Sequence, residues 1–235
     1  MLNKIEKKNM FLAQHGWLKS RFHFSFAEYR NFNNMNFGVL RVLNDDYIKA
    51  HTGFDTHPHR DMEIVTYVID GELTHADSMG NKETLYAGEV QYMSAGTGIT
   101  HSEHNLGDKE LKLFQIWILP PKKDLTPTYG SHRYTKKQRQ DKLLNIVSSK
   151  DGNAEIKLYQ DVNFYVSEAK KGKVFEIELK EDRQIYFAQI DGVTAINGVE
   201  LNSRDAMEIV DEKTLIIEAI EDTHFLYIEM KKSID

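Results

Sequence analysis

The chain has 235 residues, 40% of them hydrophobic and 28% charged, which suffices to bury a sizeable core in one or two domains. No apolar run approaches the roughly 20 residues that span a bilayer, and the Lys- and Asn-rich start, Met1 to Gln14, lacks the apolar block of a secretory signal, so the expected location is the cytoplasm. A net charge of −6 and the absence of cysteine set aside direct nucleic-acid binding, thiol catalysis and thiolate metal sites, and leave histidine and carboxylate as the available metal ligands.

From about residue 37 the chain reads as short apolar and β-branched runs broken by turn signals, the pattern of an all-β protein. Glu63 to Ile69 predicts a strand. Asp70-Gly71 then predicts a hairpin turn into a second strand, Glu72 to His75. Turns at Met79-Gly80-Asn81 and Ala87-Gly88-Glu89 flank Thr84 to Tyr86, and Val90 to Met93 follows. Leu111 to Leu119 predicts a long buried strand. Pro120 to Gln140 holds three of the four prolines and many charges, a linker composition. Within it, Lys136, Lys137 and Arg139 are expected to be solvated. The order then recurs: Ile185 to Ile190, Asp191-Gly192, Val193 to Ile196, Asn197-Gly198, Val199 to Leu201, a polar turn, and Ala206 to Val210. That recurrence predicts an internal duplication, with an N-terminal metal-binding domain over residues 1–125, a linker over 126–145 and a second domain over 146–235.

Six of the ten histidines (His51, His57, His59, His75, His101, His104) fall in one 54-residue window. Side chains two apart on a strand share a face. If Thr56 to Glu63 stays extended, His57, His59 and Glu63 therefore point one way, and His101 and Glu103 do the same on a later strand. Two such pairs on neighbouring strands present three imidazoles and a carboxylate to one point. That donor set suits Fe(II), Mn, Ni, Cu or Zn. His75 and His104 are expected at the surface or behind the ligands. His104, of opposite parity to His101, should point away. By the same alternation, Val65, Tyr67, Gln91 and Trp117 are candidate pocket walls.

His57-x-His59-x(3)-Glu63 with Gly71 eight residues on, and Gly98-x(2)-His101-x(3)-Asn105, resemble the two cupin motifs. The strings HPHRDMEIVTYVIDGELTHADSMGNKE, AGEVQYMSAGTGITHSEHN, HGWLKSRFHFSFAEY and LKLFQIWILP resemble the pirin family, especially its bacterial quercetinase-like members. The resemblance implies a bicupin of two tandem jelly-roll-like β-barrels, the second degenerate and without metal ligands. It implies one metal ion, most often iron, held in the first barrel by His57, His59, His101 and Glu103. Glu63, the ligand in many other cupins, and Asn105 are then expected to stand behind the ligands. The activity implied is flavonol ring opening by O₂, as in quercetin 2,3-dioxygenase, with Glu103 as the candidate base and a small aromatic substrate. The alternative implied by eukaryotic pirins is a redox-sensing transcription cofactor that binds a protein partner. Family members are often monomers, the state expected here.

Overall fold

The computed structural model describes residues 1–232 and is almost entirely β. In chain order its first strands are β1 (Leu2–Ile5), β2 (Phe11–Gln14), β3 (Leu18–Phe22), β4 (Leu40–Ile48), β5 (Thr52–His59), β6 (Glu63–Asp70) and β7 (Glu72–Asp77). There follow β8 (Lys82–Tyr86), β9 (Glu89–Ser94), β10 (Ile99–Asn105), β11 (Leu111–Ile118), β12 (Thr128–Arg133), β13 (Leu144–Ser149), β14 (Ile156–Leu158) and β15 (Val162–Ala169). The last are β16 (Val174–Glu178), β17 (Arg183–Asp191), β18 (Thr194–Ile196), β19 (Val199–Leu201), β20 (Ala206–Ile209), β21 (Thr214–Ala219) and β22 (Thr223–Lys231). Helix among the described residues is confined to a 3-10 turn, Lys7–Asn9, and one short helix, α1 (Lys136–Arg139).

The chain divides into two compact units. An N-terminal barrel comprises residues 11–134 and 158–160, and a C-terminal barrel comprises 1–10, 135–157 and 161 onward. Each pairs a seven-stranded with a four-stranded sheet: β12-β9-β6-β11-β4-β3-β2 with β5-β10-β7-β8 in the first, and β1-β20-β17-β22-β15-β13-β14 with β16-β21-β18-β19 in the second. The predicted hairpins are present, with Gly71 and Gly192 taking φ of +86° and +76°, a conformation that glycine adopts without penalty.

The chain departs from its sequence pattern at three places. Residues 2–5, expected with the first barrel, pair with β20 of the C-terminal barrel, Leu2 opposite Ile209. Thr128–Arg133, inside the expected linker, is strand β12 and runs beside β9. The prolines that suggested a linker, Pro120, Pro121 and Pro127, all precede β12, so none removes a ladder donor from it. Arg139, expected in solvent, is buried and donates to Glu168 at 2.5 Å.

Inside the N-terminal barrel the strand registers decide what faces inward. Gln91, Thr66 and Gln115 lie side by side on β9, β6 and β11. On one side of this polar row sits an apolar cluster of Ile64, Met93, Ala95 and Ile99 with Met62, Trp117 and Tyr129 packed on it. A second cluster contains Leu18, Ile48, Val68, Leu73, Leu85, Leu111 and Leu113. The polar row is thus set between apolar layers, where each of its groups needs a partner.

Candidate metal centre

Strand β10 alternates strictly: Ile99, His101, Glu103 and Asn105 are buried, and the residues between them are not. His101 stands opposite His57 of β5, and Ile99 opposite His59, but Glu103 stands opposite Phe54. Between these pairs β5 takes three residues where β10 takes two, a bulge that re-aims the β5 side chains. Gly53 makes this close approach feasible, since a Cβ there would lie 2.4 Å from the Glu103 carbonyl oxygen.

The three imidazoles converge. Their ring centroids are 4.8 Å apart for His57 and His59, 4.5 Å for His57 and His101, and 4.8 Å for His59 and His101. His57 Nδ1 lies 2.7 Å from the Asp55 carbonyl oxygen. A carbonyl only accepts, so Nδ1 carries the proton and Nε2 keeps its lone pair. His59 stands edge-on to Trp117, with centroids 4.9 Å apart. His101 Nε2 is buried and has no hydrogen-bond partner among the described residues. Burial first, and then the neighbouring imidazoles, lower the pKa of His59 to about 4 and of His101 to about 3. Both are therefore neutral at physiological pH, the form that binds metal.

Glu103 is held from behind by the facing sheet. Gln91 Nε2 donates to its Oε1 and Gln115 Nε2 to its Oε2, each at 2.6 Å. Thr66 ties the two amides together: its hydroxyl accepts from Gln91 Nε2 at 3.2 Å and donates to Gln115 Oε1 at 2.8 Å. The carboxylate is thereby fixed in an orientation beside His101. Two groups of ligand atoms, each within a 4.8 Å span, arise: His57, His59 and His101, and His75, His101 and Glu103. They share His101.

Some expectations hold and others are corrected. Asp61, with φ of +49°, turns the chain between β5 and β6, so strand parity does not carry from His59 to Glu63. Glu63 begins a strand of the other sheet, and its carboxylate accepts from the backbone N–H groups of Tyr159 at 2.7 Å and Gln160 at 2.9 Å. Val65 and Tyr67 share its face and lie opposite to Thr66, so they do not line the site, whereas Gln91 and Trp117 do. Asn105 braces the turn after β10, donating to the carbonyls of Ile48 and Lys109 at 3.0 and 2.7 Å and accepting from Gly107 N–H at 3.1 Å. His104 points outward, 3.3 Å from Asp55. His75 does not lie at the surface: it is fully buried opposite Glu103, stacked on Tyr129 at 4.6 Å.

Sequence pattern offers Gln91 as a pocket wall but misses Thr66 and Gln115, because only the register places the three in one row. Asp46 escapes it as well. It is a buried carboxyl that accepts from the Ser20 hydroxyl, and burial, with smaller contributions from Asp45 and Glu103, pushes its pKa up to about 7. The centre itself fits a divalent metal: three converging imidazoles, a buried nitrogen lacking any other partner, a fixed carboxylate, and no thiolate.

Comparison with known proteins agrees with this architecture. The sequence matches the pirin family over residues 5–118 and the quercetinase C-terminal cupin domain over residues 145–230. A pirin-like protein of Caulobacter vibrioides is 44% identical over 218 residues, covering 92% of this chain and 94% of its own. A protein of Escherichia coli named quercetin 2,3-dioxygenase is 43% identical over 219 residues, covering 93% of this chain and 94% of its own. The crystal structure of the Escherichia coli bacterial pirin YhhW in complex with nickel(II) superposes with a TM-score of 0.91 at 39% identity, covering 98% of this chain and 99% of that one. Two tandem cupin barrels, a histidine-rich centre in the first of them, and these matches along most of its length place the chain in the pirin family.

Proposed function

We propose that this protein is a metal-dependent dioxygenase that opens the central ring of a flavonol such as quercetin with O₂, using one divalent metal, iron(II) foremost, held by His57, His59, His101 and Glu103. The observation that carries the proposal is the buried, unpartnered His101 Nε2 among three converging imidazoles. The Escherichia coli relative named quercetin 2,3-dioxygenase supports the substrate class. The nickel(II) complex of the Escherichia coli pirin supports a metal site and puts nickel among the ions to be tried.

A divalent cation held in this way raises the acidity of a hydroxyl group that reaches it, such as the 3-hydroxyl of a flavonol. Glu103 takes that proton on a carboxylate oxygen. Gln91 and Gln115 keep the carboxylate aimed while it does so, because their amides hold one oxygen each. Trp117, which makes edge-type contacts with His59 at 4.9 Å and Phe26 at 5.4 Å, offers aromatic surface to a planar polyphenol. The apolar cluster around Ile64, Met93 and Ile99 keeps this side of the centre dry. The protein thus supplies orientation, a proton acceptor and exclusion of water.

Metal analysis beside a quercetin absorbance assay under air tests the proposal. Expected are near one metal per chain, its loss in His101→Ala, and bleaching of quercetin that depends on the metal loaded. Glu103→Gln should slow turnover by about 10²- to 10⁴-fold, the usual contribution of a general base. A metal-loaded protein that consumes neither quercetin nor O₂ refutes the dioxygenase assignment.

A further inference from the structure

We propose that His75 and Asp77 are positioning residues that fix the tautomer of His101 so that its Nε2 lone pair points at the metal. The inference rests on His57, His59 and His101 being metal ligands and requires no particular reaction.

The chain of contacts begins at a turn. Asp77 closes the β7–β8 hairpin: its Oδ1 accepts from the backbone N–H groups of Met79 at 2.9 Å and Asn81 at 3.0 Å, and its Oδ2 accepts from the Asn81 side-chain amide at 2.8 Å. The carboxylate is therefore locked in place. His75 Nε2 lies 3.4 Å from the same Oδ2, and both side chains are essentially fully buried. A carboxylate accepts, so Nε2 of His75 carries a proton, which in the neutral ring leaves a lone pair on its Nδ1. That Nδ1 is 3.5 Å from His101 Nδ1. Two lone pairs cannot face each other there, so His101 donates from Nδ1, and its Nε2 is left with the lone pair. This is the buried nitrogen that has no other partner.

His57 uses a shorter version of the same device, with the Asp55 carbonyl as acceptor for Nδ1. For His101 the acceptor is itself a histidine that must be told which way to face, and Asp77 does so. The ring of His75 is kept in plane by stacking on Tyr129 at an interplanar angle of 15°. His75 also lies among atoms close enough to share an ion with His101 and Glu103. Its Nδ1, however, faces His101 Nδ1 rather than Nε2, which makes it a partner of the ligand and not a ligand. Outer partners of this kind typically change metal affinity by about 10- to 100-fold.

The test uses the full-length protein and four forms: wild type, His75→Phe, His75→Gln and Asp77→Asn. Ni²⁺ affinity is measured by equilibrium dialysis, thermal stability on the chelated protein, and the His101 tautomer by long-range ¹H–¹⁵N correlation on ¹⁵N-histidine-labelled, metal-free samples. His75→Phe keeps the stacking but loses the acceptor, and should bind Ni²⁺ about 10- to 100-fold more weakly with unchanged stoichiometry at saturation. His75→Gln can place its carbonyl oxygen near the lost Nδ1 and should restore most of the affinity. Asp77→Asn can leave its oxygen on Met79 and Asn81 and present an N–H to His75. That reverses both tautomers and puts the proton on His101 Nε2, visible in the spectrum as well as in the affinity. If His75→Phe fails to fold, Asp77→Asn carries the test alone. Wild-type affinity and tautomer in His75→Phe or Asp77→Asn overturn the proposal, as does complete loss of metal in both His75 variants, which would make His75 a ligand. A wild type that binds no Ni²⁺ overturns the metal assignment and the proposal together.

Discussion

The two barrels share one wiring and differ in what fills them. Counting from the Asp-Gly hairpin and following the strand registers, the polar row Gln91, Thr66 and Gln115 of the N-terminal barrel corresponds to Met207, Phe187 and Tyr227 of the C-terminal barrel. Glu103, opposite His75 and Phe54, corresponds to Ile217, opposite Ile196 and Phe175. His101, opposite His57, corresponds to Leu215, opposite Ile177. His59 falls where Leu179 does, two residues past Ile177. The C-terminal counterparts belong to one apolar cluster or pack against it. The bulge that takes three residues of β5 from Phe54 to His57 has no equivalent in β16, where Phe175 and Ile177 are two apart. A cupin interior thus accepts either a polar centre, whose carboxylate is hydrogen-bonded on both oxygens and whose His101 Nε2 is left open for a metal, or a plain hydrophobic filling. The filling stabilises by burying apolar area, whereas the polar centre provides a site at a cost in folding free energy.

The sharpest way to break the contrast is to give the first barrel the residue of the second. His101→Leu should abolish metal binding altogether, read by metal analysis, while the chelated protein melts no lower than chelated wild type, because a buried unpartnered nitrogen is replaced by an apolar group. Next in size is the reverse insult. Phe187→Ala empties the centre of the C-terminal core and should cost about 3–5 kcal/mol in a denaturant titration, with metal content per folded chain unchanged.

A smaller effect is expected for Gln91→Met, again the residue of the counterpart. It removes a donor from Glu103 Oε1 and should cost about 1–3 kcal/mol of stability, with weaker Ni²⁺ binding in the same dialysis. The smallest belongs to Asp46. Its carboxyl is held to about 7 in the fold against an ordinary 3.8, so between these values the folded state keeps a proton that the unfolded state has lost. Stability is therefore complete below the lower value and declines as the pH rises through the higher one. Asp46→Asn should raise the melting temperature near about pH 8 and leave it almost unchanged near about pH 4.

Much of the centre was legible in the sequence because it depends on strand alternation, which a single chain displays. His57 and His59, His101 and Glu103, and the outward His104 follow from a period of two, and the Asp-Gly hairpins from turn chemistry. What was not legible depends on register or on a local break. One left-handed residue, Asp61, ends the alternation that would have carried Glu63 to the metal face. The partners of Glu103 come from three other strands, separated from it by up to 37 residues, and no local pattern announces them. For His75 the sequence pattern leaves the surface and a place behind the ligands both open, because only its pairing with Glu103, and not its own segment, shows that it faces inward. The strands before residue 37 are only four or five residues long, too short to display a period.

The pairing of β1 with β20 bears on how the protein is made. Leu2 leaves the ribosome about 200 residues ahead of its partner Ile209, so at about 5–20 residues per second β1 waits roughly 10–40 seconds for a place to dock. Residues 11–134, with only the short 158–160 segment still to come, can meanwhile close around the histidine centre. The C-terminal barrel is thus the last to be completed although it holds β1, and until then both β1 and the flank of β20 that receives it are open edges. The need for a chaperone or a low translation temperature should fall on that waiting strand rather than on the barrel that holds the histidine centre.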